Sequence, residues 1–313
     1  MEVFIYQLAQ GITQTAAFAK KLLAQYAVNI GLKCGQLCTY CSTSCMLRTH
    51  PAFKQIGRSP FAQDYAIVDP DSAIRVRRDA RRLRKRGLVQ MCTIVDAWAP
   101  EAQKYNLGRL CLEAILSEPE WTVRILTKNA SLANDFDIIE RYRDRVTVGL
   151  SITAPPKHSR LTGIIEPYAS PIEDRIAVLR EAHRRGLRTY GMLCPLLPAI
   201  ADAPEHIDEL VKIATDCDAE EIFVEAVNPR GPGLKLTEQA LMAKGCHKEA
   251  HAIDDIRNRT NWSLYVRQLI QNVQQSVRQH SNIEKLRFLL YPKSMTSEDV
   301  SIIRQYDAGV IWL

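Results

Sequence analysis

The sequence predicts an α/β chain in which six parallel strands alternate with helices. Three observations predict it. Short β-branched and apolar runs recur between longer stretches of helical periodicity. Gly87 and Gly186 stand where helices should end. The 313 residues, 46% hydrophobic and 24% charged, suit one large core and not a disordered chain. Helical crossovers between parallel strands are right-handed, and six such units form either an open barrel or a doubly wound sheet, which periodicity does not distinguish.

In chain order, an Ala- and Lys-containing stretch at 13–25 predicts a helix, and strands follow at 26–31, 88–95, 122–126, 146–152, 188–193 and 221–226. In either architecture the loops after the carboxyl ends of the strands build the site. Three are long, at 32–68, 153–170 and 227–248. Beyond them, 261–279 predicts a helix, 286–291 a strand and 297–305 a last helix before the apolar tail 309–313. With no Gly/Ser- or Pro-rich hinge before it, 249–313 is expected to pack on the 1–248 unit as an extension.

Lys20 and Lys21 interrupt the fairly apolar start of the chain, and neither a signal-peptide cleavage pattern nor a long uncharged run is present. The expectation is a cytoplasmic protein with no membrane partner. A net charge of +6 tilts toward anionic partners. Much of it lies in Arg75, Arg77, Arg78, Arg81, Arg82, Arg84, Lys85 and Arg86, which a helix would spread around its surface as a solvated face or a nucleic-acid contact.

Nine cysteines, an odd number in a chain too large to need disulfide staples, suggest thiols kept for metal or redox work. Cys92, Cys111, Cys194, Cys217 and Cys246 are scattered through apolar or helical surroundings, as core thiols are. The sequence Cys34-Gly-Gln-Leu-Cys38-Thr-Tyr-Cys41 instead places three thiols at spacings of four and three on one loop after a strand. Thiolates are the ligands of iron–sulfur clusters, and a loop supplying three leaves one of four irons open. Cys45 extends the set to a four-thiolate alternative, a zinc site or a saturated electron-transfer cluster.

This C-x3-C-x2-C loop, with an aromatic residue just before its last cysteine, resembles the signature of the radical S-adenosylmethionine superfamily. The likeness to its spore photoproduct lyase-like, or DNA repair photolyase, group runs from about residue 27 to 227. It includes Asp96-Ala-Trp-Ala-Pro-Glu101, Leu126-Thr-Lys-Asn129 with Asn134-Asp135, and Val148-Gly-Leu-Ser151-Ile-Thr153. Further on it takes in Glu166-Pro-Tyr-Ala-Ser-Pro171, Glu173, Arg175 and Pro195-Leu-Leu-Pro198. Departures are Gln36 and Ser42, where many members carry histidine and tyrosine, and Ala97-Trp98, where Pro-Tyr is usual.

The resemblance implies a partial (β/α)6 barrel with a C-terminal α/β extension. It implies a [4Fe–4S] cluster on Cys34, Cys38 and Cys41 whose open iron is chelated by S-adenosylmethionine. One electron then cleaves that cofactor to methionine and a 5′-deoxyadenosyl radical, which abstracts hydrogen from the substrate. By the same likeness Tyr40 lies beside the adenine, Lys128 offers a cation for the methionine carboxylate, and Ser151 and Asp96 offer hydrogen bonds to the cofactor. Cys92, on the second strand, stands near where spore photoproduct lyases place a hydrogen-donating cysteine.

The expected partners are an electron donor of flavodoxin or ferredoxin type and a nucleic acid lesion or nucleotide as substrate. The latter is supported by Lys157, His158, Arg160, Arg230 and Lys235 in two of the long loops. Radical modification of a peptide or small molecule is the second enzymatic reading, and an electron-transfer or structural metal protein the non-enzymatic one.

Overall fold

A computed structural model describes residues 1–313. In chain order its strands are β1 (Glu2–Ile5), β2 (Ile12–Gln14), β3 (Tyr26–Val28), β4 (Gly31–Lys33), β5 (Tyr65–Val68), β6 (Leu88–Met91) and β7 (Thr122–Thr127). There follow β8 (Val146–Leu150), β9 (Arg188–Thr189), β10 (Gly191–Leu196), β11 (Ile222–Ala226), β12 (Leu286–Leu290) and β13 (Val310–Trp312). They form three sheets, ordered β2-β3-β6-β7-β8-β9, β10-β11-β12-β13 and β1-β5-β4.

The first two sheets meet where Ser151 bridges Met192 and the Ile152 N–H donates to the Met192 carbonyl at 3.0 Å. No ladder joins β13 back to β2, so the sheets stay open. The mixed α/β architecture expected from the alternation is present, with parallel pairing from β3 through β9 and from β10 through β13. The partial (β/α)6 barrel implied by the resemblance is not seen as one continuous sheet, because the strands divide between separate ladders.

Several expected elements are redrawn by long-range contacts. The strand expected at 26–31 divides after Val28, because the Asn29 side chain accepts from the Thr93 and Ile94 N–H groups at 3.0 and 2.8 Å and takes the place of further ladder. The same bonds end β6 at Met91, short of the expected 95. The chain then crosses to the small sheet at Gly31, where a Cβ would stand 2.0 Å from the Ile67 carbonyl oxygen, an approach only glycine allows.

The strand expected at 188–193 also changes partner midway. Tyr190 donates its N–H to Val148, on β8, whereas Gly191 donates to Glu221, at the edge of β11. The Tyr190 ring lies where a Cβ on Gly149 would sit, and its hydroxyl donates to the Ile125 carbonyl at 2.9 Å.

The helix expected at 13–25 shrinks to Ala16–Lys20, N-capped by Thr15, because β2 pairs antiparallel with β3 and the chain after the helix is drawn inward. Leu23 is buried with Tyr190, Met192, Phe223 and Leu289 on the inner face of the strands, and the Leu22 carbonyl accepts from Arg124. The long stretch 32–68 is not an irregular loop: it holds β4, the helices Thr43–Met46 and Pro51–Gln55, and β5, which pairs parallel with the N-terminal strand.

At the other end, the helix Arg259–His280, β12, the helix Ser297–Ile303 and β13 follow the expected order, and β12 continues the β11 ladder in register Ile222↔Leu286. In the basic helix Ser72–Arg82, Arg75 is buried against Asp69, Arg78 pairs with Asp79 and Arg81 with Glu118, so much of that charge is locally answered. No helix is long and apolar enough to cross a membrane.

Candidate active site

The cysteine loop begins directly after β4 and not, as expected, after the first strand of the large sheet. It is built from two successive turns, with Leu37 donating its N–H to the Cys34 carbonyl at 3.5 Å and Cys41 to that of Cys38 at 3.1 Å. Leu37 takes a positive φ of 50°, uncommon for a branched side chain. Three contacts pin the loop to distant elements. Gly35 donates its N–H to Glu101 Oε1 at 2.8 Å, Gln36 Nε2 donates to Asp96, and Thr39 donates its N–H to the Ile165 carbonyl at 2.9 Å.

Cys34, Cys38 and Cys41 line one cavity of about 170 Å3 at the carboxyl ends of β6, β7 and β8. Tyr40, Cys92, Asp96, Lys128 and Ser151 line the same cavity, so the expected cluster and cofactor side chains meet there. Cys45 does not. It sits on the far side of the helix Thr43–Met46, its thiol 3.7 Å from the Arg230 carbonyl. No group of three or more His, Cys, Asp and Glu side chains has the spacing of a single-ion site. A cluster asks for something else, since each of its thiolates binds a different iron.

The donor set fits such a group. Three thiols face one cavity whose lining also holds Gln36, and Gln36 Oε1 is a buried acceptor with no partner. Burial pushes the Cys34 thiol well up, and the nearby Glu101 and Asp96 carboxylates add to that; burial also pushes Cys38 up, to about 12, although Lys128 pulls against it. Thiols this shielded from water bind as thiolates only with a metal to replace the lost hydration.

Lys128 leaves the end of β7 and forms none of the chain's ion pairs, its Nζ lying 5.8 Å from the centre of the Tyr40 ring. Burial opposes its charge, but Glu166 and Cys38 outweigh that and hold its pKa above the ordinary lysine value. It is therefore a cation lining the cavity whose supporting carboxylate, Glu166, stands beyond ion-pair distance. Ser151 follows β8 with its backbone engaged, its N–H donating to Thr127 at 2.9 Å and its carbonyl accepting from Arg175 at 3.1 Å, and the residue lines the cavity.

Asp96 lines the cavity with its carboxylate engaged by the protein itself. Its two oxygens already accept from the Trp98 N–H at 2.8 Å, the Thr127 hydroxyl at 2.8 and 2.9 Å, the Lys128 N–H at 2.9 Å, and Gln36. It ties the cysteine loop to the end of β7 as a positioning residue. Cys92 follows β6, lines the cavity and is 6% exposed; burial pushes its thiol well above the ordinary value, with Cys111 and Asp96 adding to the shift.

Two arrangements carry no local sequence signal. Beneath Tyr40, Glu166 accepts from the Tyr40 hydroxyl, from the Thr153 hydroxyl at 3.1 Å and from Arg175, and the Glu166–Arg175 pair is sealed from water. Burial alone would raise the Glu166 carboxyl, yet Arg175, Lys128 and the donated hydrogen bonds hold it below the usual carboxylate range. Further round, Glu225 accepts from the Cys194 thiol at 3.3 Å and the Tyr291 hydroxyl at 2.5 Å, with Lys21 at 3.8 Å. Glu166 and Arg175 were visible as parts of motifs, but only the fold pairs them. Of the loop cations, His158 is turned to the Ile200 carbonyl and Arg160 to Cys246, while Lys157 and Lys235 are exposed.

No protein-family model matches the chain. It is 24% identical over 237 residues to the uncharacterized protein ORF301 of Acidianus two-tailed virus, covering 74% of this chain and 76% of that one. It is 25% identical over 186 residues to the uncharacterized protein MJ0683 of Methanocaldococcus jannaschii, covering 59% and 66%. Among solved structures it is similar to spore photoproduct lyase complexed with dinucleoside spore photoproduct, at a TM-score of 0.61 and 14% identity over 89% of this chain and 79% of that one. A double mutant of the same lyase with bound AdoMet and dinucleoside spore photoproduct matches at 0.61 and 15%, with the same coverage. At these identities the likeness is one of fold: the chain has the fold of spore photoproduct lyase.

Proposed function

We propose that the chain is a radical S-adenosylmethionine enzyme. The observation that carries this reading is the meeting, in one cavity, of three thiols from a single loop, an unpaired lysine and a strand-end serine. Cys34, Cys38 and Cys41 would each hold one iron of a [4Fe–4S] cluster, leaving the fourth for the amino and carboxylate groups of S-adenosylmethionine. When bound, cluster and cofactor together supply a one-electron cleavage to methionine and a 5′-deoxyadenosyl radical that takes hydrogen from the substrate.

The chain's own residues do the rest. Lys128 binds the carboxylate of the methionine moiety, with its charge sustained by Glu166. Ser151 offers its hydroxyl to the polar part of the same molecule. Tyr40, locked by Glu166, presents a flat face beside the adenine, and Asp96 holds Gln36 and the Lys128 backbone in register. Lys128→Ala is expected to weaken S-adenosylmethionine binding about tenfold or more while leaving the cluster spectrum intact, since a charge-assisted hydrogen bond contributes about 1.5–3 kcal/mol. Equilibrium binding to the reconstituted protein checks this, and unchanged affinity would remove Lys128 from the cofactor site.

As substrate we propose a nucleic acid lesion or nucleotide. What supports it is the shared fold with spore photoproduct lyase, solved with a dinucleoside spore photoproduct, and the positive balance of the chain. Cys92 is the proposed hydrogen donor that quenches the product radical. Cys92→Ala is then expected to leave cofactor cleavage working while product analysis by mass spectrometry finds adducts; normal product would leave Cys92 as packing.

The test of the whole reading is anaerobic reconstitution with iron and sulfide, then incubation with dithionite and S-adenosylmethionine, with and without DNA, RNA or cell extract. 5′-Deoxyadenosine should form. Its absence under every condition would sink the enzymatic reading, and stimulation by extract but not nucleic acid would move the substrate to a peptide or small molecule.

A further inference from the structure

The helix Thr43–Met46 is a single turn that separates two depressions. Thr43 and Ser44 line the cavity that holds the three loop thiols, whereas Ser42, Cys45 and Met46 line a separate depression of about 340 Å3 on the outer side. That depression is completed by Arg48 and Arg230 and contains no acidic residue. Both arginines are exposed and neither takes part in an ion pair: Arg48 Nη1 donates to the Cys45 carbonyl at 3.3 Å, and Arg230 stacks over Tyr291 at 5.7 Å. At the rim, Met46 is a large apolar side chain left 66% exposed. A polarizable apolar residue flanked by arginines outside any ion pair matches the enrichment of Met and Arg at protein interfaces.

Position makes the patch informative. An electron reaches a buried redox centre by tunnelling, which decays exponentially with distance, so its donor docks on a surface close to that centre. The lining of the outer depression begins at Ser42, the residue after the third loop thiol. We propose that the depression between Met46, Arg48 and Arg230 is the docking site for a small acidic one-electron carrier protein. The proposal rests on the radical-enzyme reading, because it supplies that cluster's electron. Unpaired cations in a chain of net charge +6 attract an acidic carrier over a distance and orient it, and Met46 gives the contact an apolar centre.

The experiment uses reconstituted holoprotein and flavodoxin as the probe, with two readouts. One is flavodoxin binding by titration at low and moderate salt; the other is 5′-deoxyadenosine formation driven by flavodoxin with its reductase and NADPH, compared with dithionite. For Arg48→Glu and Met46→Asp, affinity and flavodoxin-supported rate should each fall about tenfold, while the dithionite-supported rate stays unchanged. Arg48→Lys should recover most of both, and wild-type binding should weaken with salt.

Unaltered flavodoxin affinity in both variants would overturn the assignment. So would an equal fall of the dithionite-supported rate, or displacement of flavodoxin by a DNA oligonucleotide, which would make the patch a nucleic-acid contact. If wild-type protein cleaves nothing with dithionite, the enzymatic reading fails separately, and the binding titration still decides the docking site.

Discussion

Cys34→Ala, Cys38→Ala and Cys41→Ala are each expected to lose the iron–sulfur cluster and with it all cofactor cleavage, whereas Cys45→Ala keeps both. Ligand count is the reason. Three thiolates and a bound cofactor complete four irons, so removing one thiolate exposes an iron that nothing nearby replaces. Cys45 lies across the helix Thr43–Met46, its thiol against the Arg230 carbonyl, and does not line the cavity. Iron and sulfide content together with the visible absorption of the reconstituted proteins reads the result. A Cys45→Ala protein unable to retain iron would establish a four-thiolate centre instead, and the open coordination position would vanish with it.

Arg175→Met is expected to cost about 3–5 kcal/mol of stability, a large share of the roughly 5–15 kcal/mol that holds a domain together. Glu166 and Arg175 have 0% and 1% of their side chains exposed, so removing the guanidinium leaves a carboxylate with no water and no counter-charge but Lys128. The change also frees the Ser151 and Ser170 carbonyls that Arg175 now satisfies.

The pH dependence has a definite sign. The Glu166 carboxyl lies below its ordinary value in the folded protein, so its contribution is present above the unfolded-state pKa and is lost only as pH falls through the lower folded one. In the variant, burial dominates and raises that carboxyl, so the contribution reverses to a penalty that acid relieves. Urea denaturation across pH measures both effects. Replacing both partners, Arg175→Met with Glu166→Leu, should be less destabilising than either single change, because neither member of the buried pair is left charged without the other. An Arg175→Met protein within about 1 kcal/mol of the parent would mean that the pair is solvated or that its neighbours relax.

The cysteine loop was legible because its chemistry is local: three thiols at spacings of four and three reach one centre wherever the loop lies. The strands at 122–126, 146–152 and 221–226 were legible because their β-branched apolar runs are buried almost throughout. Where prediction failed, a distant residue had intervened. Asn29 ends two strands by bonding across 64 and 65 positions, and Gly31 lets the chain pass from one sheet to another beside Ile67. Neither effect has a periodicity.

Asp96 shows the same division within the site. The likeness implied hydrogen bonds to a cofactor; what only the fold shows is that four groups from three segments donate to its oxygens and make it a joint between the loop and β7.

The sequence by itself determined the alternation of strands and helices, the three-thiol loop and the residue types that gather round it, since these depend on neighbours a few positions apart. Tertiary structure alone decided which cations are paired and which are free. Arg75 and Arg175 are buried in ion pairs whereas Lys128 faces the cavity without one. It also decided that Tyr40 rests on a carboxylate 126 positions away, and that Cys45 faces outward. The physical reason is that charge, burial and hydrogen bonding depend on separation in space, and a folded chain brings together residues whose separation in sequence carries no record of it.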